Sequence, residues 1–126
     1  ANRYEVMAGY ARRMRAVFHQ EVEALKARKV DANVVKAASR WLHRDTEKVP
    51  AEAMTRLKQA LAANPVLDKM VVMREELRQL WLNRSHSREQ LAVDLQAWCK
   101  RAEESGIATL REFSMQLRAV RLQTAA

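Results

Sequence analysis

Three histidines are the first residues to consider for metal binding or acid–base chemistry: His19, His43 and His86. A helical metal site needs ligands three or four residues apart, because that spacing places them on one face. None of these histidines has another His at that distance, and none follows a Glu by three residues, as in di-iron bundles. We therefore expect ordinary surface or boundary histidines and no metal site.

Nucleophilic and acid–base residues give no catalytic constellation either. Cys99 shares a predicted apolar face with Trp98, where a thiol behaves as a small buried hydrophobe and resists ionisation. The adjacent carboxylates of Glu75-Glu76 and Glu103-Glu104 diverge by about 100° on a helix, which favours solvated side chains over an acid/base couple. Two glycines are too few for the common phosphate-binding fingerprints. The sequence predicts no catalytic residue and no cofactor, so the chain alone is not expected to be an enzyme.

Arginines are the best candidates for binding. The formal net charge is +8, and residues 1–30 contribute seven basic and three acidic side chains, or +4. Such a field attracts nucleic acid or acidic lipid headgroups without distinguishing between them. A solvated charged face is the plainer interpretation of the same residues. The predicted partner- or phosphate-binding residues are Arg12, Arg13, Arg15, Arg111, Arg118 and Arg121.

The composition predicts helices to carry these side chains. Of 126 residues, 48% are hydrophobic and 30% charged, with only two Gly and two Pro, too few for the turns of a sheet protein. We expect an all-α fold, a single bundle of five to six mostly antiparallel helices with a long basic N-terminal helix. Residues 1–126 would form one helical accessory domain, with a basic amphipathic helix over 1–30 and the bundle over 31–126. Because the first residue is not Met, we expect a fragment of a longer protein.

Apolar spacing and capping residues place the first three helices. The first covers roughly Arg3 to Arg28, and Asp31 caps the second. The polar stretch His43–Lys48 is typical of a loop. Pro50 suits the first turn of the third helix, where its missing N–H has no role.

The second half of the chain carries clearer boundaries. Asn64-Pro65 ends the third helix and opens the fourth, because the residue before Pro leaves helical geometry. The pattern breaks over 83–86, and Ser87 followed by Gln90 is a capping box for the fifth helix. Gly106 stands where a left-handed C-cap is expected before the last helix.

The tryptophans Trp41, Trp81 and Trp98 all fall on predicted apolar faces. Core packing is the expected role, and an exposed anchor for a partner is the alternative. No run of about 18 apolar residues and no signal peptide is present, so no membrane span is expected in this chain.

Residues 41–120 resemble the helical region of a family of bacterial insertion-sequence DDE transposases. The resemblance is carried by Trp41-Leu42, Leu57–Leu61, Asn64-Pro65, Arg74–Trp81, Leu95–Trp98, Ala102–Ile107, Leu110–Phe113 and Leu117-Arg118. In such proteins the helical unit is interposed within the catalytic fold, and the acidic triad lies outside this span. The resemblance implies a contact module with no catalytic residue of its own.

With the opening segment Asn2–Arg12 included, the whole chain also resembles the C-terminal cytoplasmic extension of certain bacterial membrane fatty-acid desaturases. Their chemistry is carried by histidine boxes that hold two irons, and none of those boxes occurs here. This resemblance implies a non-catalytic accessory domain in a protein of lipid metabolism.

The leading functional hypothesis is therefore the desaturase accessory domain. It predicts a cytoplasmic location, tethered to the inner membrane through the parent protein, and an acidic partner protein or anionic membrane surface as partner. The alternative is a DNA-contacting helical domain of an insertion-sequence transposase, which predicts steeply salt-dependent binding to nucleic acid. A third hypothesis is a structural homodimerisation bundle.

Overall fold

A computed structural model describes the backbone of residues 3–82 and 87–125 and the side chains up to residue 119. Within these ranges the chain forms six α-helices and no strand, which confirms the predicted all-α class. A 3-10 turn, Thr46–Lys48, lies inside the predicted loop between the second and third helices. The helices are α1 (Arg3–Ala27), α2 (Ala32–Trp41), α3 (Ala51–Ala63), α4 (Pro65–Leu82), α5 (Arg88–Glu103) and α6 (Ala108–Ala125).

Three predicted boundary residues act as expected. The Asp31 carboxylate accepts hydrogen bonds from the backbone N–H groups of Asn33 at 2.9 Å and Val34 at 3.3 Å, and so caps α2. The Ser87 hydroxyl accepts from the N–H of Gln90 at 3.1 Å and so caps α5, but the Gln90 side chain donates to Asp94 at 2.9 Å and does not complete the predicted capping box. Gly106, with φ +79°, adopts the left-handed conformation between α5 and α6.

The boundaries around the two prolines are more detailed than the sequence predicts. Pro50 precedes α3 instead of lying in its first turn, and its carbonyl accepts from the N–H groups of Ala53 and Met54. Asn64 both ends α3 and caps α4, because its Oδ1 accepts from Val66 N–H at 3.0 Å and Leu67 N–H at 3.1 Å. The break predicted over 83–86 lies outside the described residues.

The contacts divide the chain into two compact units, which we describe separately. The first comprises residues 1–13 and 72–126, and the second comprises residues 14–71. Helices α1 and α4 each contribute residues to both units. The predicted subdivision at residue 30 stays a prediction.

An aromatic cluster forms the core of the first unit. Tyr10 packs edge-to-face on Phe113 with ring centroids 5.2 Å apart and on Trp98 at 6.4 Å, and Trp98 packs on Phe113 at 5.8 Å. The indole N–H of Trp98 donates to the carbonyl of Met73 at 2.9 Å. The cluster therefore joins residues of α1, α4, α5 and α6 through contacts among apolar rings and one buried hydrogen bond.

A cluster of polar side chains connects α5 to α6. The Ser114 hydroxyl is fully buried beside the Cys99 carbonyl and the Glu103 carboxylate. Arg118 donates from Nε to Glu103 Oε2 at 2.7 Å and from Nη2 to Oε1 at 3.3 Å. The pKa of Glu103 is lowered by the hydrogen bonds from Arg118 and Ser114, which favour its charged form.

The second unit is built on apolar side chains of α1, α2, α3 and the first part of α4. Phe18 is buried and meets the exposed His43 ring edge-to-face, with centroids 5.2 Å apart. The Arg28 guanidinium donates from Nη1 to the carbonyl of Ala63 at 3.1 Å, which ties the end of α1 to the end of α3. Buried apolar residues of this unit include Met14, Val22, Leu25, Val34, Val35, Ala38, Leu42, Leu57, Ala60, Leu67 and Met70.

Only one of the three tryptophans is fully buried. Trp98 is 0% exposed, whereas Trp41 and Trp81 are half-buried, so the core prediction was wrong for these two. Trp41 is the last residue of α2, where the helix ends and one side of its ring is covered by the Arg40 guanidinium at 5.3 Å. None of the described helices is both long and apolar enough to cross a bilayer.

Replacing each of the two glycines with alanine should change the free energy of unfolding in opposite directions. A Cβ on Gly9, in the interior of α1, would come no closer than 3.8 Å to another side chain, so Gly9→Ala should raise the free energy of unfolding by about 0.5–1 kcal/mol. Gly106→Ala should lower it by roughly 1 kcal/mol, since φ +79° is strained for an L side chain. Urea unfolding of both variants checks this, and stabilisation by Gly106→Ala would contradict it.

The Glu103–Arg118 pair should make stability depend on pH. The lowered pKa means that the pair's contribution is present above the ordinary Glu range, about 4.3, and is lost as pH falls through the folded-state value. The two side chains are 29% and 39% exposed, so Glu103→Gln should cost about 1 kcal/mol or less at neutral pH and nothing in strong acid.

Glu104→Gln is the matched control, because Glu104 is exposed and lies next to Glu103. Urea unfolding at several pH values should show a pH-dependent loss for Glu103→Gln alone. Equal losses of unfolding free energy in the two variants at neutral pH would mean that the polar cluster between α5 and α6 contributes no specific stability.

Candidate nucleic-acid interface

The structure divides the six predicted arginines by their partners. Arg12, Arg15 and Arg111 are exposed and form no ion pair within the described residues. Arg13 Nη1 lies 3.7 Å from Glu112 Oε2, which links α1 to α6, and Arg118 is held by Glu103. The side chain of Arg121 lies outside the described residues.

The first unit has a small groove where α1 meets α6. Its volume is about 230 Å³, and Arg12 and Glu5 supply its charged groups. One cation beside one carboxylate gives little attraction for a polyanion. Arg12 is the one positively charged side chain that lines this groove and could contact a phosphate. The lining residues are Glu5, Val6, Gly9, Arg12, Phe113, Gln116 and Leu117.

The second unit carries a basic surface on α2 that sequence reasoning missed. A cavity of about 630 Å³ lies on the α3 side of α2, and one of about 640 Å³ lies on the side of the α1 terminus. Lys36 and Arg40 line both cavities. Arg56 completes the first cavity and Lys26 the second. We call these four residues the α2 cluster.

The positive charges of the α2 cluster are largely not neutralised by neighbouring carboxylates among the described residues. Lys36, Arg40 and Arg56 make no ion pair with any carboxylate in the described part of the chain. Lys26 contacts Glu23 at 2.9 Å, an exposed pair one helical turn apart that contributes little. Glu52 is the carboxylate that lines the α3 side. Four cations therefore border the two cavities against one acid.

Helical spacing could have revealed part of this surface. Lys36 and Arg40 are four residues apart and so share a face, opposite the buried Val34 and Val35. The sequence-based prediction named the arginines of α1 and α6 instead. No local pattern shows that Lys26 and Arg56 flank α2, because that requires the packing of three helices.

Several of the described carboxylates are engaged with arginines. Glu75 accepts from Arg78 at 3.0 Å, and Glu76 accepts from Arg101 at 2.8 Å, so the adjacent carboxylates point to different partners. Cys99 is buried. No group of three or more His, Cys, Asp or Glu suited to a metal ion occurs in the part of the chain that the structure describes. The exposed cations that have no carboxylate partner among the described residues are chemically suited to an anion.

Comparisons with known proteins agree with one of the two resemblances. A transposase family model, of the ISL3 type of DDE transposase, matches residues 1–125. The transposase for insertion sequence element IS1001 of Bordetella parapertussis is 30% identical over 117 residues, which cover 91% of this chain. The chain spans 28% of the length of that relative. No solved structure matches the present chain.

These matches correct the leading functional hypothesis. The resemblance to a fatty-acid desaturase finds no support, and neither does the acidic partner protein that it implied. The desaturase resemblance rested on helical sequence rich in Ala, Leu and Arg. Such sequences resemble one another in unrelated proteins, because every amphipathic helix repeats its apolar residues about every 3.6 positions. The alternative is the interpretation that the comparisons favour. Because the family model matches residues 1–125, almost the whole of this chain, the chain belongs to the ISL3 family of DDE transposases.

Proposed function

We propose that this chain is a DNA-contacting helical domain of an insertion-sequence transposase. The observation that carries the proposal is the set of exposed arginines and lysines that have no carboxylate partner among the described residues. In a transposase the anion that such side chains meet is the phosphate backbone. The net charge of +8 supports the same partner.

The proposed role is contact and not bond-making. The chain corresponds to 28% of the length of its IS1001 relative, so the parent protein would have room for catalytic carboxylates outside this segment. The described carboxylates support this division, because Glu75, Glu76 and Glu103 are held by arginines and do not converge on a metal site.

Salt-dependent affinity for duplex DNA tests the proposal. The triple variant R12Q/R15Q/R111Q should bind a duplex of about two helical turns more weakly than the unchanged chain. The slope of log affinity against log salt should fall by up to about three, since each lost phosphate contact removes about 0.9. Fluorescence anisotropy between about 50 and 200 mM salt measures this.

Arg118→Gln is the control for general loss of charge or structure. Arg118 is held by Glu103, so this variant should lower the free energy of unfolding while changing the salt slope by less than one. An unchanged chain that binds no duplex at the lowest salt would refute the proposed function. A triple variant with the wild-type slope would show that these three arginines do not contact DNA.

A further inference from the structure

We propose that α2 enters the major groove of duplex DNA, with Asn33, Lys36 and Arg40 toward the base edges and Lys26 and Arg56 against the two bordering phosphate backbones. This inference rests on the proposed function and assigns it a surface. It concerns only the second unit, whose residues make every contact used below.

The shape around α2 fits an inserted helix. An α-helix with its side chains is about 10–12 Å across, and the major groove is about 12 Å wide. A helix lying in that groove needs free space along both sides, because the phosphate backbones rise as ridges on either side of it. The cavities of about 630 and 640 Å³ supply space on both flanks of α2.

The exposed face of α2 has the residue types that read base edges. Asn33, Lys36 and Arg40 are three and four residues apart, so they follow one another along one face, and all three are exposed. Arg and Lys pair with the O6 and N7 acceptors of guanine, and Asn pairs with the N6 and N7 of adenine. The opposite face is fixed in the core by Val34, Val35 and Ala38, which prevents α2 from rotating these side chains away.

The outer walls of the two cavities carry positive charges, which the phosphate backbone of DNA requires. Arg56 stands on α3 and Lys26 near the end of α1, one on each side of α2. Arg56 has no ion-pair partner among the residues described, and the Lys26 pair with Glu23 is exposed. Glu52 lies one turn before Arg56 and offsets only part of this charge.

Other polyanions fit this surface less well. Single strands bind by stacking bases on exposed aromatic rings, but Trp41 is half-buried and one side of its ring lies against Arg40. A membrane-binding helix needs large apolar side chains beside its cations, whereas the exposed residues of α2 are small or polar: Ala32, Asn33, Lys36, Ser39 and Arg40. Duplex DNA is the partner that matches both the shape and the chemistry.

Paired charge-removing variants of the full 126-residue chain test the surface. K36Q/R40Q should weaken binding to a duplex of about two helical turns by at least about tenfold, through lost base contacts. K26Q/R56Q should lower the salt slope by roughly two, through lost phosphate contacts. K58Q/K69Q is the matched control, since both lysines are exposed in the same unit and line neither cavity. Its slope should change by less than one, and equal losses in all three variants would overturn the proposal.

Groove-specific probes test the insertion itself. A duplex whose cytosines carry glucosylated 5-hydroxymethyl groups has a blocked major groove and should bind the chain at least about tenfold more weakly. Netropsin occupies the minor groove and should not displace the chain. Displacement by netropsin together with full binding to the glucosylated duplex would overturn the proposal.

The outcomes separate this inference from the function on which it rests. Failure of the unchanged chain to bind any duplex refutes both. Normal salt-dependent binding by the unchanged chain, with K36Q/R40Q equal to the control, refutes only the assignment to α2. Thermal unfolding followed by circular dichroism verifies that each variant is folded before its affinity is compared.

Discussion

Helical periodicity is the constraint on which the rest of this structure depends. Side chains leave an α-helix every 100°, so a helix that buries one face commits the opposite face to solvent. In α2 the buried Val34, Val35 and Ala38 orient the helix, and Lys36 and Arg40 are thereby presented outward. In the first unit the Tyr10–Trp98–Phe113 cluster buries one face of α1 in the same way. The proposed binding surface is thus a consequence of core packing.

Ion pairing then divides the cations into two groups with different roles. Arg13, Arg101 and Arg118 contact carboxylates on other helices and contribute to the structure of the first unit. Cations such as Lys36 and Arg40 have no such partner among the described residues, so their charge is available to an external anion. Under the proposed function that anion is DNA, whereas charge alone suits nucleic acid and acidic lipid equally.

Local signals were enough to predict the class of fold and several helix ends, because caps such as Asp31, Ser87 and Gly106 act within a few residues of the chain. Features that need tertiary packing were not predictable. Trp41 occupies an apolar position, yet it ends its helix half-buried, and Lys26 and Arg56 flank α2 only after α1, α2 and α3 pack. The pairing of Arg118 with Glu103 is likewise set by the packing of α5 on α6.

Nuclear magnetic resonance is the most direct test of the central claim, that packing leaves the outer face of α2 to bind duplex DNA. Amide resonances of the isotopically labelled chain would be followed while a short duplex is added. Perturbations in α2 and at Lys26 and Arg56, beside those expected at Arg12, Arg15 and Arg111, and reversed by salt, are the result that the proposal predicts. Perturbations confined to α5 and α6, with α2 unchanged, would contradict it.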